Sequence, residues 1–171
     1  MKEILNDIYN HCLGMQKLAE RKNVGIIGFN IIVSLTTIYL LQRGLQEYLQ
    51  YYLFFVLACS IISIFLGLSA ISAQLKRKET GVPDHQNQNL LFFGTAAKYA
   101  PENYLNELHK AYGGNEPISD FQRDRARQIV VVAQIALRKF KLFNAAFLWT
   151  IAAIATPLSV VIYLLLFDNK A

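Results

Sequence analysis

A chain of 171 residues with 54% hydrophobic residues, only 17% charged residues and a net charge of +5 has one domain's length without a soluble domain's polarity. Its mean hydropathy of +0.28 excludes a secreted soluble enzyme, a disordered tail and a disulfide scaffold. The charges are absent between Lys22 and Arg43, between Glu47 and Lys76, and between Lys141 and Asp168, leaving gaps of 20, 28 and 26 residues. A helix rises about 1.5 Å per residue and a hydrocarbon core of roughly 30 Å takes about 20 apolar residues, so each gap is long enough to cross a bilayer.

Residues 1–22 place Ile4, Ile8, Leu13, Leu18 and Ala19 among polar neighbours in an imperfect helical stripe. It reads either as a short cytoplasmic helix packed on the rest of the protein or as an interfacial helix lying on lipid. Because the first apolar stretch follows 23 residues of mixed charge, it is expected to be a retained span rather than a cleaved signal. The spans are predicted at about 24–41 and 48–75, a hairpin within residues 23–75. Tyr39, Tyr48, Tyr51 and Tyr52 cluster at its tip, where amphipathic rings favour the headgroup layer.

Span two is expected to project into Lys76-Arg77-Lys78, followed by a polar loop from Thr80 to Asn89 that holds Gly81 and Pro83. Leu90 to Tyr99 resumes an apolar helical pattern. Pro101 suits the first position of a helix in which Tyr104, Leu105, Leu108 and Tyr112 repeat at three and four residues, until Gly113-Gly114 stops it. Ser119 with Gln122 makes a capping-box start, and nothing breaks the following helix before Pro157. The cytoplasmic region, residues 76–141, thus runs directly into a third span at 142–167, with a tail at 168–171. Thr156-Pro157 reads as a static kink or as a hinge. The fold predicted is an all-α integral membrane protein with three transmembrane helices.

Of the 17 Lys and Arg, four precede span one, Arg43 alone lies in the hairpin turn, eleven fall between Lys76 and Lys141, and Lys170 ends the chain. Positive residues stay on the cytoplasmic side, so the N-terminus and the middle region are expected inside, the tail outside. Arg138-Lys139-Phe140-Lys141 at the entry to span three is either this orientation signal or a contact for anionic headgroups. Cys12 and Cys59 are not expected to pair.

Catalytic chemistry finds little purchase. His11, His85 and His109 are scattered, no Cys/His spacing matches a metal site, and neither G-x-S-x-G, H-E-x-x-H nor a phosphate-binding glycine loop occurs, so no enzyme and no metal or cofactor is predicted. Cys59, Ser63 and Gly67 recur every four residues on span two, a small-residue face along which helices approach closely, and a homo-oligomer is expected to use it. Asn30, Ser34 and Thr37 form a polar stripe on span one that serves either interhelical hydrogen bonding or a water path.

In the middle region Lys98, Arg123, Arg125 and Arg127 accompany Phe92, Phe93, Tyr99 and Phe121. Guanidinium groups grip phosphate and aromatic faces stack on bases, so a nucleotide is one reading; salt bridges with Glu102, Glu107, Asp120 and Asp124 are the other. Arg123 and Arg127, four apart on one helical face, are the pair favoured for a phosphate, with Lys98 as the alternative cation and Phe93 or Tyr99 as the stacking ring.

The run from Asn89 through Leu90-Leu91-Phe92-Phe93-Gly94-Thr95-Ala96-Ala97-Lys98-Tyr99, then Pro101-Glu102-Asn103-Tyr104-Leu105, resembles the central motif of the Pycsar transmembrane effectors. Gln128-Ile129 and Ala136-x-Arg138-Lys139-Phe140-Lys141 resemble the helix before their last span, and the likeness extends from about Arg21 to Phe167. The chain departs from the pattern after span two, with Gln74-Leu75-Lys76-Arg77 where a proline-containing entry is expected. The resemblance implies an antiphage effector at the bacterial inner membrane. It would answer cUMP or cCMP made by a partner cyclase, bind no nucleic acid, and impair the membrane so that the infected host arrests. A related effector answering another second messenger or a protein partner, and a non-conducting membrane scaffold, are the alternatives.

Overall fold

The computed structural model describes residues 1–72, 89–113 and 117–167, with side chains up to Ala155. The described residues are helical and carry no strand. Five helices follow in order: α1 (Lys2–Leu41), α2 (Glu47–Ile71), α3 (Phe93–Ala96), α4 (Pro101–Tyr112) and α5 (Asp120–Phe167). Among the described residues, α1 and α2 are long and apolar enough to cross a membrane.

The predicted N-terminal helix and span one are a single helix of 40 residues. Gly14, Gly25 and Gly28 lie inside it, but an interior glycine costs only about 1 kcal/mol and no proline interrupts the backbone ladder. The hairpin turn follows at Gln42–Gln46, where Gly44 takes the left-handed φ of 66° that lets the chain reverse. Helix α2 ends at Ile71; residues 73–75, the basic Lys76-Arg77-Lys78, most of the polar loop before Asn89 and Gly114 lie outside the described residues. Only four residues of the apolar run from Leu90 to Tyr99 become helix, because turns flank α3 on both sides and Pro101 starts α4 immediately after. One half of the capping box at the start of α5 forms, the Ser119 N–H donating to Gln122 Oε1 at 2.8 Å, while the Gln122 N–H donates to the Ser119 main-chain carbonyl at 3.0 Å. The helix then runs through Pro157 to Phe167, and the side chains at the expected hinge lie outside the described set.

The described residues divide into two units, 1–20 with 89–113 and 117–140, and 21–72 with 141–167. In the first, Leu5, Ile8 and Cys12 of α1 pack with Phe93 and Ala96 of α3, Leu105 and Leu108 of α4, and Ala126, Ile129, Val130, Ala133 and Ala136 of α5. Ala126, Ala133 and Ala136 on this face of α5 let the neighbouring helices close on it. In the second, Val56, Cys59 and Ala153 form a small apolar cluster, while Asn30, Thr37, Ser60, Ser63 and Thr150 are also buried. Outward stand Phe29, Ile32, Leu35, Phe54, Ile61, Phe65, Leu148 and Trp149, each at least 40% exposed.

Candidate functional site

The first unit aligns its central motif along α5 in the opposite direction. The Phe93 ring lies 5.8 Å from that of Phe140, Gln134 Nε2 donates to the Ala97 carbonyl at 3.3 Å, and Arg127 reaches Glu102 at 3.7 Å. The contacts therefore move toward the N-terminal end of α5 as the motif advances. Helix rise puts Phe140 about 20 Å from Arg127 and about 25 Å from Arg123. The five candidate ligand contacts are not gathered in one place: Phe93 lies at one end of this ladder and the arginines at the other.

Their exposure also separates them. Phe93 is 6% exposed and Tyr99 1%. Phe93 is edged by Phe92 at 4.7 Å, and Tyr99 faces Tyr104 at 5.9 Å. Both rings belong to the core and offer no open face to a base in this conformation. An aromatic ring near cations suits base stacking by type, but the apolar area of Phe93 and Tyr99 is satisfied here by burial. Lys98 is exposed and makes no ion pair with described residues. Arg123 and Arg127 are exposed, with Asp120 at 3.7 Å from the first and Asp124 and Glu102 at 3.6 and 3.7 Å from the second. These separations exceed hydrogen-bond length and the groups are solvated, so the pairs hold the guanidinium groups weakly and leave them open to a stronger anion.

Arg125, set aside in the sequence reading, turns to α1: it stacks over Tyr9 at 4.4 Å and donates to Asn6 Oδ1 at 2.7 Å and to Gln128 Oε1 at 3.0 Å. A second contact of this kind was missed. Lys139, 8% exposed, pairs with Glu20, and that hydrogen bond holds the Glu20 carboxyl below the usual carboxylate range. In the sequence both residues belong to basic or mixed-charge runs, and nothing in their spacing distinguishes a buried lysine from an exposed one. Cys12 is fully buried in this core, and burial pushes its thiol up to about 11.

The second unit contains a polar knot joining three helices. Asn30 Nδ2 lies 3.1 Å from Ser63 Oγ, 2.8 Å from Thr150 Oγ1 and 2.8 Å from the Ile26 carbonyl. Ser63 and Thr150 both donate to the Ala146 carbonyl, at 2.8 and 3.0 Å. The stripe on span one is thus used for interhelical bonding at Asn30, whereas Thr37 bonds back to the Val33 carbonyl of its own helix at 2.8 Å. Thr150 was not singled out from the sequence; its signal is the four-residue step from Ala146 and the three-residue step to Ala153, a narrow small-residue stripe in an otherwise bulky segment.

The small face of α2 corrects the expectation for assembly. Cys59, Ser63 and Gly67 are buried within the chain. A Cβ at Gly67 would lie 2.7 Å from Ile27 Cγ1 on α1, so this glycine brings α1 and α2 of one molecule together and is not presented to a second copy.

The model of the family described as a Pycsar effector protein domain matches residues 4–167. No curated protein and no solved structure shows significant similarity to the chain.

Proposed function

The chain belongs to the Pycsar effector family, and on that premise we propose that it is a three-span protein of the bacterial inner membrane that binds cUMP or cCMP and then impairs the bilayer, arresting the infected cell. The observation that carries the membrane part is the reversed packing of the second unit. Asn30, Ser63 and Thr150 are enclosed, while Phe, Leu, Ile and Trp side chains face outward along α1, α2 and α5. In water that surface is an aggregation liability; in lipid it is solvated, and enclosed amides and hydroxyls supply the association that apolar contacts cannot. The third span occupies 142–167 of α5, which stays helical to Phe167. The N-terminus and the first unit lie in the cytoplasm, following the Lys and Arg distribution.

The phosphate of the ligand binds Arg123 and Arg127, whose carboxylate neighbours at 3.6–3.7 Å the monoanionic cyclic phosphodiester can displace. Lys98 is the alternative cation. Because Phe93 and Tyr99 are buried, a base that stacks on either must open the core, so ligand recognition by those rings would itself be a conformational change. Binding shifts the protein only as far as the ligand prefers one state, and α1 and α5 each contribute residues to both units, a covalent route for such a shift. The active form is a homo-oligomer that uses surfaces other than the Cys59/Ser63/Gly67 face.

Dye release from proteoliposomes, titrated separately with cUMP, cCMP and cAMP, tests this reading. One pyrimidine nucleotide is expected to trigger release. Arg123→Ala and Arg127→Ala are each expected to weaken binding about ten- to a hundredfold, the loss of a charge-assisted phosphate contact of roughly 1.5–3 kcal/mol. Wild-type binding by both variants sinks the phosphate placement, and no release with any nucleotide sinks the effector mechanism.

A further inference from the structure

The motif entering α3 presents two adjacent large apolar side chains to the outside, Leu91 at 42% and Phe92 at 48% exposure. They stand on a fixed support. Asn89 Oδ1 accepts the Leu91 N–H at 3.0 Å, Tyr104, fully buried, donates its hydroxyl to the Leu90 carbonyl at 2.8 Å, and the Phe92 carbonyl accepts the N–H groups of Thr95 and Ala96 at 3.0 and 3.1 Å. A Cβ at Gly94 would meet the Phe92 ring at 2.5 Å, so glycine at this position admits the ring against the backbone. Exposing two rigidly held apolar side chains is unfavourable in water unless something covers them.

Their level along α5 identifies the cover. Phe92 packs edge to face on Phe93, and Phe93 on Phe140. Phe140 is two residues, about 3 Å of helix rise, before Leu142, where the charge-free stretch to Phe167 begins. Lys141, exposed, is the last charge before that stretch, and Arg138 lies one turn earlier. An apolar tip that reaches Phe140 through Phe93, on a helix that carries Arg138 and Lys141 where its charge-free stretch begins, has the composition of an interfacial anchor: the apolar side chains enter the acyl boundary and the cations meet phosphate headgroups.

We propose that Leu91 and Phe92 form a wedge that dips into the cytoplasmic leaflet at the entry of the third span and fixes the central motif on the membrane surface. The proposal rests on the membrane-spanning reading above. It gives the central motif two tasks on opposite faces, Phe93 closing the core and Phe92 holding lipid.

The chain has a single tryptophan, Trp149, inside the expected third span. Three proteins are reconstituted into phosphatidylethanolamine–phosphatidylglycerol vesicles containing phosphatidylcholine brominated at shallow or deep acyl positions: wild type, Trp149→Phe with Phe92→Trp, and Trp149→Phe with Phe121→Trp. Phe121 is an equally exposed ring at the far end of the same stretch of α5, and serves as the reference for a solvent-facing position. Tryptophan at 92 is expected to be quenched most by shallow bromines and to show iodide quenching several-fold below that at 121. Iodide access equal to that at 121, or protection from iodide without quenching by lipid, overturns the wedge. The wild-type Trp149 signal separates the two levels of inference. If brominated lipid quenches Trp149 but not tryptophan at 92, the wedge alone fails; if Trp149 is not quenched, the spanning reading fails with it.

Discussion

The two units of this protein solve the burial problem with opposite polarity. In the first, Leu5, Tyr104, Leu108 and Ile129 are enclosed while Arg123, Asp124 and Arg127 face out. In the second, Asn30, Ser63 and Thr150 are enclosed while Phe54, Ile61, Phe65 and Leu148 face out. The same chain, and in α1 and α5 the same helices, therefore carries two packing rules. Where water is the solvent, apolar area drives closure; where lipid is, apolar area gains nothing from closing, and shape fit and hydrogen bonds decide.

Substitutions chosen by this contrast can break it. The largest effect is expected for Leu108→Ala in the first unit, a fully buried leucine whose truncation costs about 2–5 kcal/mol through lost transfer energy and a residual cavity, measurable as an earlier denaturant midpoint or faster limited proteolysis. Ile61→Asp places a carboxylate on the outward face of α2, and about 3 kcal/mol is expected against membrane insertion. Val131→Asp, on an exposed position of the first unit, is expected to cost under about 1 kcal/mol. If an insertion assay and thermal melts give the two aspartates equal effects, the second unit does not face lipid. Asn30→Leu is more informative in sign than in size: it adds apolar area yet is expected to destabilise by about 0.6–1.7 kcal/mol, because Ser63 and Thr150 lose their shared partner. A stabilised protein in detergent melts would remove the knot's structural role.

The smallest effect concerns pH. The Lys139 ammonium holds the Glu20 carboxyl below its ordinary range, so the contribution of this pair is present above the ordinary glutamate value and is lost as pH falls through the lowered one. Glu20 is about two-fifths exposed, and after solvent screening the effect is expected to stay below about 1 kcal/mol. Melting curves of wild type and Glu20→Gln should differ at pH 7 and converge in acid; a gap that persists at the lowest pH assigns the difference to something other than the charge.

Much of the helical layout was readable from composition and local chemistry. The start of α4 at Pro101 and its end at Gly113 follow from a ring that tolerates only the first turn and a residue suited to the last, and the start of α5 follows from the Ser119–Gln122 cap. The single helix through Lys2–Leu41 was missed because a change from mixed to apolar composition resembles a boundary, although nothing in the backbone chemistry requires one. The candidate ligand residues were chosen by type, and the sequence carried no sign of their arrangement. Lys98, Arg123 and Arg127 are indeed exposed cations, while Phe93 and Tyr99 went into the core.

The sequence by itself determined the long helices, the charge-free stretches capable of crossing lipid, and the residue types that can meet phosphate, because those follow from backbone propensity, hydropathy and local capping. Only the tertiary structure decided which side chain each would meet. It paired Asn30 with Ser63 and Thr150, Glu20 with Lys139, Arg125 with Tyr9 and Asn6, and laid the central motif along α5 so that Phe93 reaches Phe140 and not the arginines. Such partners lie 33 to 120 residues apart in the knot alone. Their choice depends on how whole helices interlock, where small residues such as Gly67 and Ala146 permit close approach and bulky ones forbid it.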